Sequence, residues 1–359
     1  MKKSLLALAV LGAYAGVASA QSSVTLYGTL DMAGTYVKNE GQARRLSLAT
    51  NGINSSQLGF RGVEDLGGGL KAGFNLLADL AGIDSGNVGS RFFGRRSTVS
   101  LFSNAGELRL GRDYTPTFWN QTIFDAFGTN GLGSTLNVRQ AYAGTRQDNS
   151  IGYFLPSNIG GVYGQLMAGA AEGGTSGDRA ARYLGGRIGF AAGPFDVAFA
   201  YSQERFAAGA NISGTTGVGQ VLPIGVGDKQ KTWNVGGSWD FGFAKLMAYY
   251  DHESLPNASE KMFTINGVIP FGQSEVHVGY DRSKLNNDNV GGFDSTVDQI
   301  KATYQYNLSK RTAMYATISR LDNKDGTRLA IIGNGGSAPV APIPDGTSKG
   351  FQLGVRHFF

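Results

Sequence analysis

Charged side chains, rather than thiols or imidazoles, are the groups of this chain that could act on a solute. Arg95 and Arg96 are adjacent, Arg146 lies further along, and Asp113 and Asp125 lie between them. In a narrow wet passage, fixed charges of this kind select ions by sign. The 359 residues contain no cysteine and only three histidines, which excludes thiolate chemistry and leaves few candidates for a zinc site or a catalytic triad. Chemistry that depends on a thiolate, a zinc ion or a catalytic triad is therefore disfavoured.

Other candidate ligand sites are weak. The three histidines are far apart in the sequence, and only His252 and His277 offer an enzymatic alternative, provided the fold brings them together beside Ser or Asp. The glycines at 67–69 are not followed by a helix, and the stretch 322–326 lacks the downstream Glu of a calcium loop. A formal net charge of +5 without a dense basic run gives no indication of nucleic-acid binding. We therefore predict no cofactor, no metal and no nucleic-acid partner.

The N-terminus has the form of an export signal. Lys2 and Lys3 precede an apolar run over residues 5–17, and residues 18–20 form a small-residue cleavage site. A transmembrane anchor is the alternative, but the run is short for about 30 Å of hydrocarbon and has no stop-transfer flank. We predict a signal peptide at residues 1–20, whose removal lowers the formal net charge from +5 to +3, and one domain at 21–359.

Apolar and polar residues alternate along much of the remaining chain, which is typical of β-strands with one apolar and one polar face. Near the C-terminus Phe351, Leu353 and Val355 share one parity, whereas Gln352 and Arg356 share the other. Glycine accounts for 55 residues, roughly twice its usual share, and this argues against an all-helical protein because glycine weakens helices.

The alternation predicts sixteen strands joined by connections of alternating length. The predicted strands lie at 23–37, 44–61, 70–80, 91–102, 106–112, 138–155, 162–170, 182–192, 195–206, 229–241, 243–252, 259–269, 273–282, 297–308, 311–323 and 349–359. The long connections lie near 80–90, 113–137, 170–181, 206–228, 283–296 and 323–348. Short turns at one end and long loops at the other indicate an up-and-down meander.

The residue types on the two faces distinguish a membrane barrel from a soluble sheet, whose apolar face would fill a shared core with aliphatic residues. Here the apolar faces end in aromatic residues such as Trp233, Trp239, Tyr304 and Tyr306, which suit a boundary between hydrocarbon and water. Unpaired strand edges in lipid cost several kcal/mol per group, so only a closed barrel is allowed. We predict an all-β protein, a 16-stranded antiparallel transmembrane barrel wide enough for an aqueous channel.

Five short motifs follow one another in an order found in a known family. They are VTLYG (24–28), QLGFRG with EDLGGGLKA (57–62 and 64–72), RRSTV with LRLGRDYTP (95–99 and 108–116), LSKRT (308–312) and GVRHFF (354–359). Together they make the chain, from the N-terminal signal to the last residue, resemble the general diffusion porins of Gram-negative outer membranes, specifically their β-proteobacterial branch.

The resemblance implies a homotrimer in the cell outer membrane and a third loop folded into the barrel as a constriction, with loop carboxylates opposite a wall of arginines. The third long connection, 113–137, is also long for a loop without secondary structure, which by itself suggests a function. It carries Asp113 and Asp125, and Asp125 is the position that the resemblance assigns to the constriction. Four aromatic side chains are suited to fixing the loop to the inner wall: Phe118, Trp119, Phe124 and Phe127.

Alternation within the second predicted strand places two further residues in the barrel interior. Parity with the outward-facing Leu58 and Phe60 turns Gln57 and Arg61 inward. The resembling family often has an arginine where Gln57 stands, so one positive charge is missing from the predicted constriction.

The arginine pair leaves an alternative open. The family pattern favours Arg95 as the pore residue, whereas strict alternation turns Arg96 inward with Thr98 and Arg95 outward. A bulge, or contact of the outward face with the constriction loop, would reconcile the two. Arg146 matches another family pore arginine, and Arg139 is a further candidate.

With more arginine than aspartate in the candidate constriction, the sequence predicts passive diffusion of small hydrophilic solutes and ions with a mild anion preference. One alternative is a substrate-specific outer-membrane channel, which requires aromatic residues or a dedicated binding site in the lumen. Another is an adhesive or structural barrel with a blocked lumen. The expected partners are outer-membrane lipid, lipopolysaccharide and the barrel-assembly machinery. The last of these is expected because the terminal Phe359 resembles the signal that the machinery recognises.

Overall fold

The computed structural model describes residues 23–141, 144–170, 182–206, 211–212, 222–223, 228–288, 294–332 and 340–359, so the predicted signal peptide lies outside the described residues. The strands are β1 (Ser23–Asn39), β2 (Arg44–Thr50), β3 (Gln57–Gly67), β4 (Leu70–Asp79), β5 (Arg96–Ser103), β6 (Gly106–Tyr114), β7 (Arg146–Phe154), β8 (Val162–Gly169), β9 (Tyr183–Ala192), β10 (Phe195–Arg205), β11 (Asn211–Ile212), β12 (Leu222–Pro223), β13 (Lys229–Asp240), β14 (Lys245–Leu255), β15 (Ala258–Phe271), β16 (Ser274–Asn287), β17 (Ser295–Asn307), β18 (Thr312–Lys324) and β19 (Thr347–Phe358). The described residues also form one α-helix, α1 (Pro116–Ile123), and 3-10 helices at Ile83–Ser85, Gly131–Gly133 and Thr135–Val138. No helix in this part of the chain has the length and apolarity needed to cross a membrane.

Seventeen of the strands form one antiparallel sheet that closes on itself. Neighbouring wall strands follow one another along the chain, and β1 returns to pair with β19, with Leu30 opposite His357. β1 also pairs with β3 along its first part and with β2 along its last part, so β2 and β3 share one place in the wall. The wall therefore has the sixteen strand positions that the sequence predicts, while β11 and β12 form a separate two-stranded sheet.

The two faces of the wall are inverted relative to those of a water-soluble protein. On β17, Ile300 is 55% exposed on the outer face, whereas the adjacent Lys301 is 5% exposed on the inner face. On β19, Leu353 is 56% exposed and Gln352 is 2% exposed. An apolar exterior around a polar interior is favourable only where lipid surrounds the wall. The predicted membrane barrel is confirmed.

Aromatic side chains gather towards both ends of the apolar exterior. Near the short turns, the ring of Trp239 lies 6.0 Å from that of Phe195 and 6.3 Å from that of Phe241. Near the other end of β13, Trp233 lies 5.3 Å from Tyr250. The two tryptophans are about 20 Å apart along the strand, close to the ~25 Å apolar height of outer-membrane barrels.

The strand predicted at 44–61 is interrupted in the structure. Residues 51–56 leave the sheet because the carboxylate of Asp31, on β1, accepts the backbone N–H groups of residues 52–54 at 3.2, 2.9 and 2.7 Å. This turn contacts the connection between β6 and β7, since Ser55 donates a hydrogen bond of 2.9 Å to Asn130. The contact is long-range, and the alternation of the segment gives no sign of it.

Two other predicted strands begin later than the alternation suggests. The strand predicted at 91–102 begins at Arg96, and the one predicted at 138–155 begins at Arg146. Before β5, Arg95 binds the side chain of Asp79, and before β7 the residues Arg139, Gln140 and Ala141 bind side chains of β14 and β15. The connection between β6 and β7 consequently runs over residues 115–145 rather than 113–137.

The alternation of short and long connections holds along most of the chain, but the connections at 40–43 and 256–257 are short although they lie at the long-loop end. The connection predicted at 170–181 lies outside the described residues except for residue 170. Short turns occupy residues 68–69, 104–105, 193–194, 241–244, 272–273 and 308–311, and long connections occupy 80–95, 115–145, 206–228 and 325–346. The connection predicted at 283–296 is shorter, at 288–294, because β16 and β17 extend further than predicted.

Candidate functional site

The connection over residues 115–145, called the third loop below, contacts the polar inner face of distant strands. It begins with α1, where Pro116 occupies the first helical turn, a position that needs no N–H donor. The side chain of Asn120 donates to Asn234 of β13 at 3.1 Å, and the carbonyl of Leu132 accepts from Gln299 of β17 at 2.8 Å. Asn234 and Gln299 are completely buried.

Two of the four predicted aromatic anchors hold the third loop against the wall. Phe124 is completely buried against Gly236 of β13, where a methyl group in place of hydrogen would come within 2.1 Å of the ring. Phe127 is 5% exposed, and the ammonium of Lys301, on β17, lies 4.5 Å from its ring centroid. Glycine at position 236 therefore provides the space that the loop occupies.

Arg139 ties the end of the third loop to β14. Its guanidinium lies 2.7 Å from Asp251 and also pairs with Glu253, and all three side chains are at most 4% exposed. Burial opposes the charge, but the two carboxylates hold the pKa of the Arg139 guanidinium well above its ordinary value. The structure thus places this predicted constriction residue in a buried ion cluster.

Glu260 of β15 adds a second attachment beside this cluster. It accepts the backbone N–H groups of Gln140 and Ala141 at 2.9 and 2.6 Å and the hydroxyl of Ser283 at 2.5 Å. Buried backbone groups require such partners. Here a side chain of the distant wall supplies them, and this fixes the path of the loop.

Asp125 stabilises a turn within the third loop. Its carboxylate accepts the N–H groups of Phe127 and Thr129 at 2.9 and 3.0 Å and the hydroxyl of Thr135 at 2.9 Å, and the residue is 5% exposed. Among the described residues no arginine forms a salt bridge with Asp125. The structure therefore does not bring this predicted loop carboxylate to the arginines.

Arg95 and Arg96 both extend to the inner side of the wall. Arg96 opens β5 and donates to Asp113 at 2.8 and 3.2 Å. Arg95 precedes the strand and donates to Asp79 at 3.1 Å and to Ser55 at 2.6 Å. The alternation that turned Arg95 outward was wrong because Arg95 lies outside the strand, so neither a bulge nor a loop contact is needed.

Asp113 lies in the wall and not in the third loop. It is the penultimate residue of β6 and is 1% exposed. Besides Arg96 it pairs with Arg109, which also binds Glu107 at 2.8 Å. The carboxylate opposite the arginines is thus supplied by the neighbouring strand.

Arg146 and Arg61 have aromatic partners. The Arg146 guanidinium lies 4.7 Å above the ring of Tyr114 and donates to its hydroxyl at 3.3 Å. Within the described part of the chain, no carboxylate forms a salt bridge with Arg146. Arg61 lies 5.1 Å above the ring of Tyr27 and is exposed.

A cavity of about 450 Å³ joins the arginine-bearing wall to the third loop. The wall contributes Gln57, Arg95 and Arg96, and the loop contributes Phe118, Trp119, Thr122, Thr129 and Asn130. Tyr114 borders the same cavity and connects it to Arg146. Arg61 and Arg96 border a smaller adjoining cavity of about 140 Å³.

The two histidines of the enzymatic alternative lie on opposite faces of the wall. His252 contacts the outward-facing Trp233 at 5.7 Å between ring centroids. His277 points to the third loop, where its Nδ1 lies 2.7 Å from the carbonyl oxygen of Ala126. The fold therefore does not join them in one site.

Sequence reasoning missed Asp79 and Tyr114 as site residues and treated Trp119 only as an anchor. Asp79 shares the parity of the inward-facing Asn75, so the alternation of β4 carried a signal for it. The orientation of Tyr114 and Trp119 depends on α1 and on the arginines around them, and no local pattern indicates it.

These features define a class of protein: a closed membrane barrel with a polar inner face and a charged cavity lined by its wall and by the third loop. A model of the Gram-negative porin family matches residues 7–326, and the chain belongs to that family. It is an outer-membrane porin, a channel and not an enzyme.

Individual relatives agree with this assignment. The chain is 37% identical to outer membrane porin protein 32 of Delftia acidovorans and 28% identical to an outer membrane porin protein of Bordetella pertussis, in each case over 100% of both chains. An anion-selective porin from Comamonas acidovorans has a TM-score of 0.80 and 33% identity, covering 94% of this chain and 100% of that chain. OmpT of Vibrio cholerae in its trimer form, with a TM-score of 0.65, 15% identity and coverage of 94% and 99%, shares the fold alone.

Proposed function

We propose that the third loop narrows the barrel and that ions and small hydrophilic solutes diffuse passively through the gap beside it. The observation that carries the proposal is the cavity of about 450 Å³ shared by Gln57, Arg95 and Arg96 on the wall and by the third loop. The hydrogen bonds from the loop to buried polar residues of β13, β15 and β17 support the inward position. In such a gap a solute passes close to fixed charges, which gives them more influence than charges at the rims.

The balance of charge around the gap favours anions mildly. Arg95 is paired with Asp79 at 3.1 Å and Arg96 with Asp113 at 2.8 Å. Arg146 adds a guanidinium whose described partners are Tyr114 and a threonine hydroxyl. The cluster therefore carries more positive than negative charge, and Gln57 keeps the excess small.

Asp125 and Arg139 have a different role in this proposal from the one the sequence suggested. Both are almost fully buried: Asp125 accepts hydrogen bonds from residues of the third loop, and Arg139 pairs with Asp251 of the wall. We assign them to holding the loop in place rather than to contact with passing solutes.

The ion preference is tested by the reversal potential of the purified protein in a planar bilayer across a potassium chloride gradient. We expect a potential of the sign that marks chloride as the more permeant ion, and a smaller magnitude at high salt, because salt screens exposed charges. A cation-selective potential would contradict the proposal. A barrel that inserts without conducting would identify the blocked alternative.

A homotrimer is also part of the proposal, supported by the trimer form of the Vibrio cholerae structure with the same fold. We expect insertion events to give conductance steps that close in three equal levels. Single-level closure at every insertion would indicate independent barrels. We also propose that lipid contacts the apolar outer face of the barrel and that lipopolysaccharide contacts the two ends of that face.

Deletion of Phe359 is expected to lower the amount of assembled barrel several-fold while leaving the conductance of assembled channels unchanged. Phe359 exchanges backbone hydrogen bonds of 3.0 and 3.1 Å with Gly28, and so it completes the seam between the first and last strands. We propose that the barrel-assembly machinery recognises this terminal aromatic residue. Heat-modifiable mobility of outer-membrane fractions measures assembly, and Phe359→Tyr is the matched control that keeps the ring.

A further inference from the structure

The aromatic residues facing the gap form a surface that anchoring of the loop does not explain. Tyr114 stacks on Phe118, with centroids 5.5 Å apart and planes at 18°, and meets Trp119 edge-on at 5.4 Å. We call these three rings the aromatic shelf. All three are half-buried, whereas Phe124 in the same loop is completely buried. Partly exposed aromatic rings inside a polar cavity mark a contact surface for something apolar.

Guanidinium groups surround the aromatic shelf. Arg96 lies 5.9 Å from the ring centroid of Trp119, and Arg146 lies 4.7 Å from that of Tyr114. Arg95 borders the same cavity, and its side chain is 11% exposed. Arg95 and Arg96 already donate to Asp79 and Asp113, whereas no carboxylate pairs with Arg146 among the described residues. The excess positive charge of these arginines attracts a carboxylate and the rings offer a stacking surface, so both parts of a planar aromatic anion find partners here.

We propose that the gap contains a binding site for small aromatic carboxylates of the benzoate class. The carboxylate faces the group of Arg95, Arg96 and Arg146, whose excess charge comes from Arg146, and the ring lies on the shelf at Phe118 and Trp119. This proposal deepens the proposed function and rests on it, because it places the site in the permeation path. The cavity of about 450 Å³ falls within the range typical of sites for small molecules.

The π-face of the ligand is what the shelf recognises. Cyclohexanecarboxylate carries the same charge and nearly the same bulk as benzoate but has no aromatic ring, so it keeps the arginine contacts and loses ring stacking. Stacking between aromatic groups corresponds to roughly a three- to tenfold difference in affinity. Affinity for either anion must stay modest, since conduction requires that a bound ion leaves the passage.

The experiment titrates the chloride current of single channels with benzoate or cyclohexanecarboxylate at constant ionic strength. Calorimetry on the detergent-solubilised protein measures the same two affinities without relying on conduction. We expect benzoate to half-block the current, and to bind, at a concentration about three- to tenfold lower than cyclohexanecarboxylate. Trp119→Leu is expected to remove this difference, whereas Trp239→Leu, on the outer face, retains it.

The possible outcomes separate the two proposals. Anion-selective conduction with equal affinities for the two carboxylates overturns the aromatic site and leaves the proposed function intact. A calorimetric preference for benzoate that Trp119→Leu removes, in a barrel that does not conduct chloride, supports the site and overturns the proposed function. If Trp119→Leu does not assemble, Phe118→Leu tests the same stacking, and an unchanged preference in that variant overturns the site.

Discussion

Replacing Arg139 with glutamine is expected to increase the conductance and the current noise of the open channel and to lower the thermal stability of the barrel. The substitution leaves Asp251 and Glu253 buried without the cation that both contact. Removal of one partner from a buried ion pair costs about 3–5 kcal/mol, whereas the hydrogen bonds from Gln140 and Ala141 to Glu260 of β15 remain. The end of the third loop therefore detaches from β14 and the gap widens. Single-channel recording and the temperature of the gel mobility shift measure the two effects.

The matched control is Arg146→Gln, which makes the same substitution at the first residue of β7, directly after the third loop. Arg146 contacts Tyr114 and not a buried carboxylate, so we expect a small change in stability and a reduced anion preference. Combining Arg139→Gln with Asp251→Asn and Glu253→Gln removes the unpaired charges and is expected to recover most of the lost stability. Wild-type conductance and stability in Arg139→Gln alone would show that the cluster does not hold the loop.

Replacing Arg95 with glutamate is expected to reverse the ion preference of the channel. The change removes one positive charge from the gap and adds a carboxylate beside Asp79, with which Arg95 is paired in the native protein. The excess of positive charge around the gap is small, so a change of two charges at this point exceeds it. We expect the reversal potential in a potassium chloride gradient to change sign at low salt. At about 1 M salt it approaches zero, because the screening length falls to roughly 3 Å.

Arg311→Glu provides the same change of charge outside the gap, in the exposed turn between β17 and β18. Its effect on the reversal potential is expected to be small, because exposed charges beyond the screening length are largely neutralised by salt. Gln57→Arg is expected to act in the opposite direction and strengthen the anion preference. Equal shifts in Arg95→Glu and Arg311→Glu would mean that net charge, and not the gap, sets the selectivity.

The structure also reassigns carboxylates and arginines that the sequence grouped together. Asp125 binds N–H groups of its own loop, and the arginines are paired instead by Asp79 and Asp113 on the neighbouring strands. Parity within β4 identifies Asp79 as inward-facing, but nothing in the sequence connects it to Arg95. Pairing between charged groups depends on which strands and loops meet. A prediction from sequence pattern cannot tell which of several aspartates pairs with a given arginine.

By itself, the sequence determined the barrel, its sixteen wall positions, its inverted faces and its membership of the porin family. The barrel, its wall positions and its inverted faces follow from alternation with a period of two, which is a local property of each strand, and from the requirement that a sheet in lipid closes on itself. The family follows from the resemblance of five short motifs and from the comparisons. Only the tertiary structure decided which wall residues the third loop contacts, that Arg95 and Arg96 border one cavity, and that residues 51–56 leave the sheet. Those features depend on contacts such as Arg139 with Asp251 and Asp31 with residues 52–54, which join positions far apart in the chain. Local periodicity contains no information about such contacts, because the partner of a buried polar group is chosen by the folded surroundings.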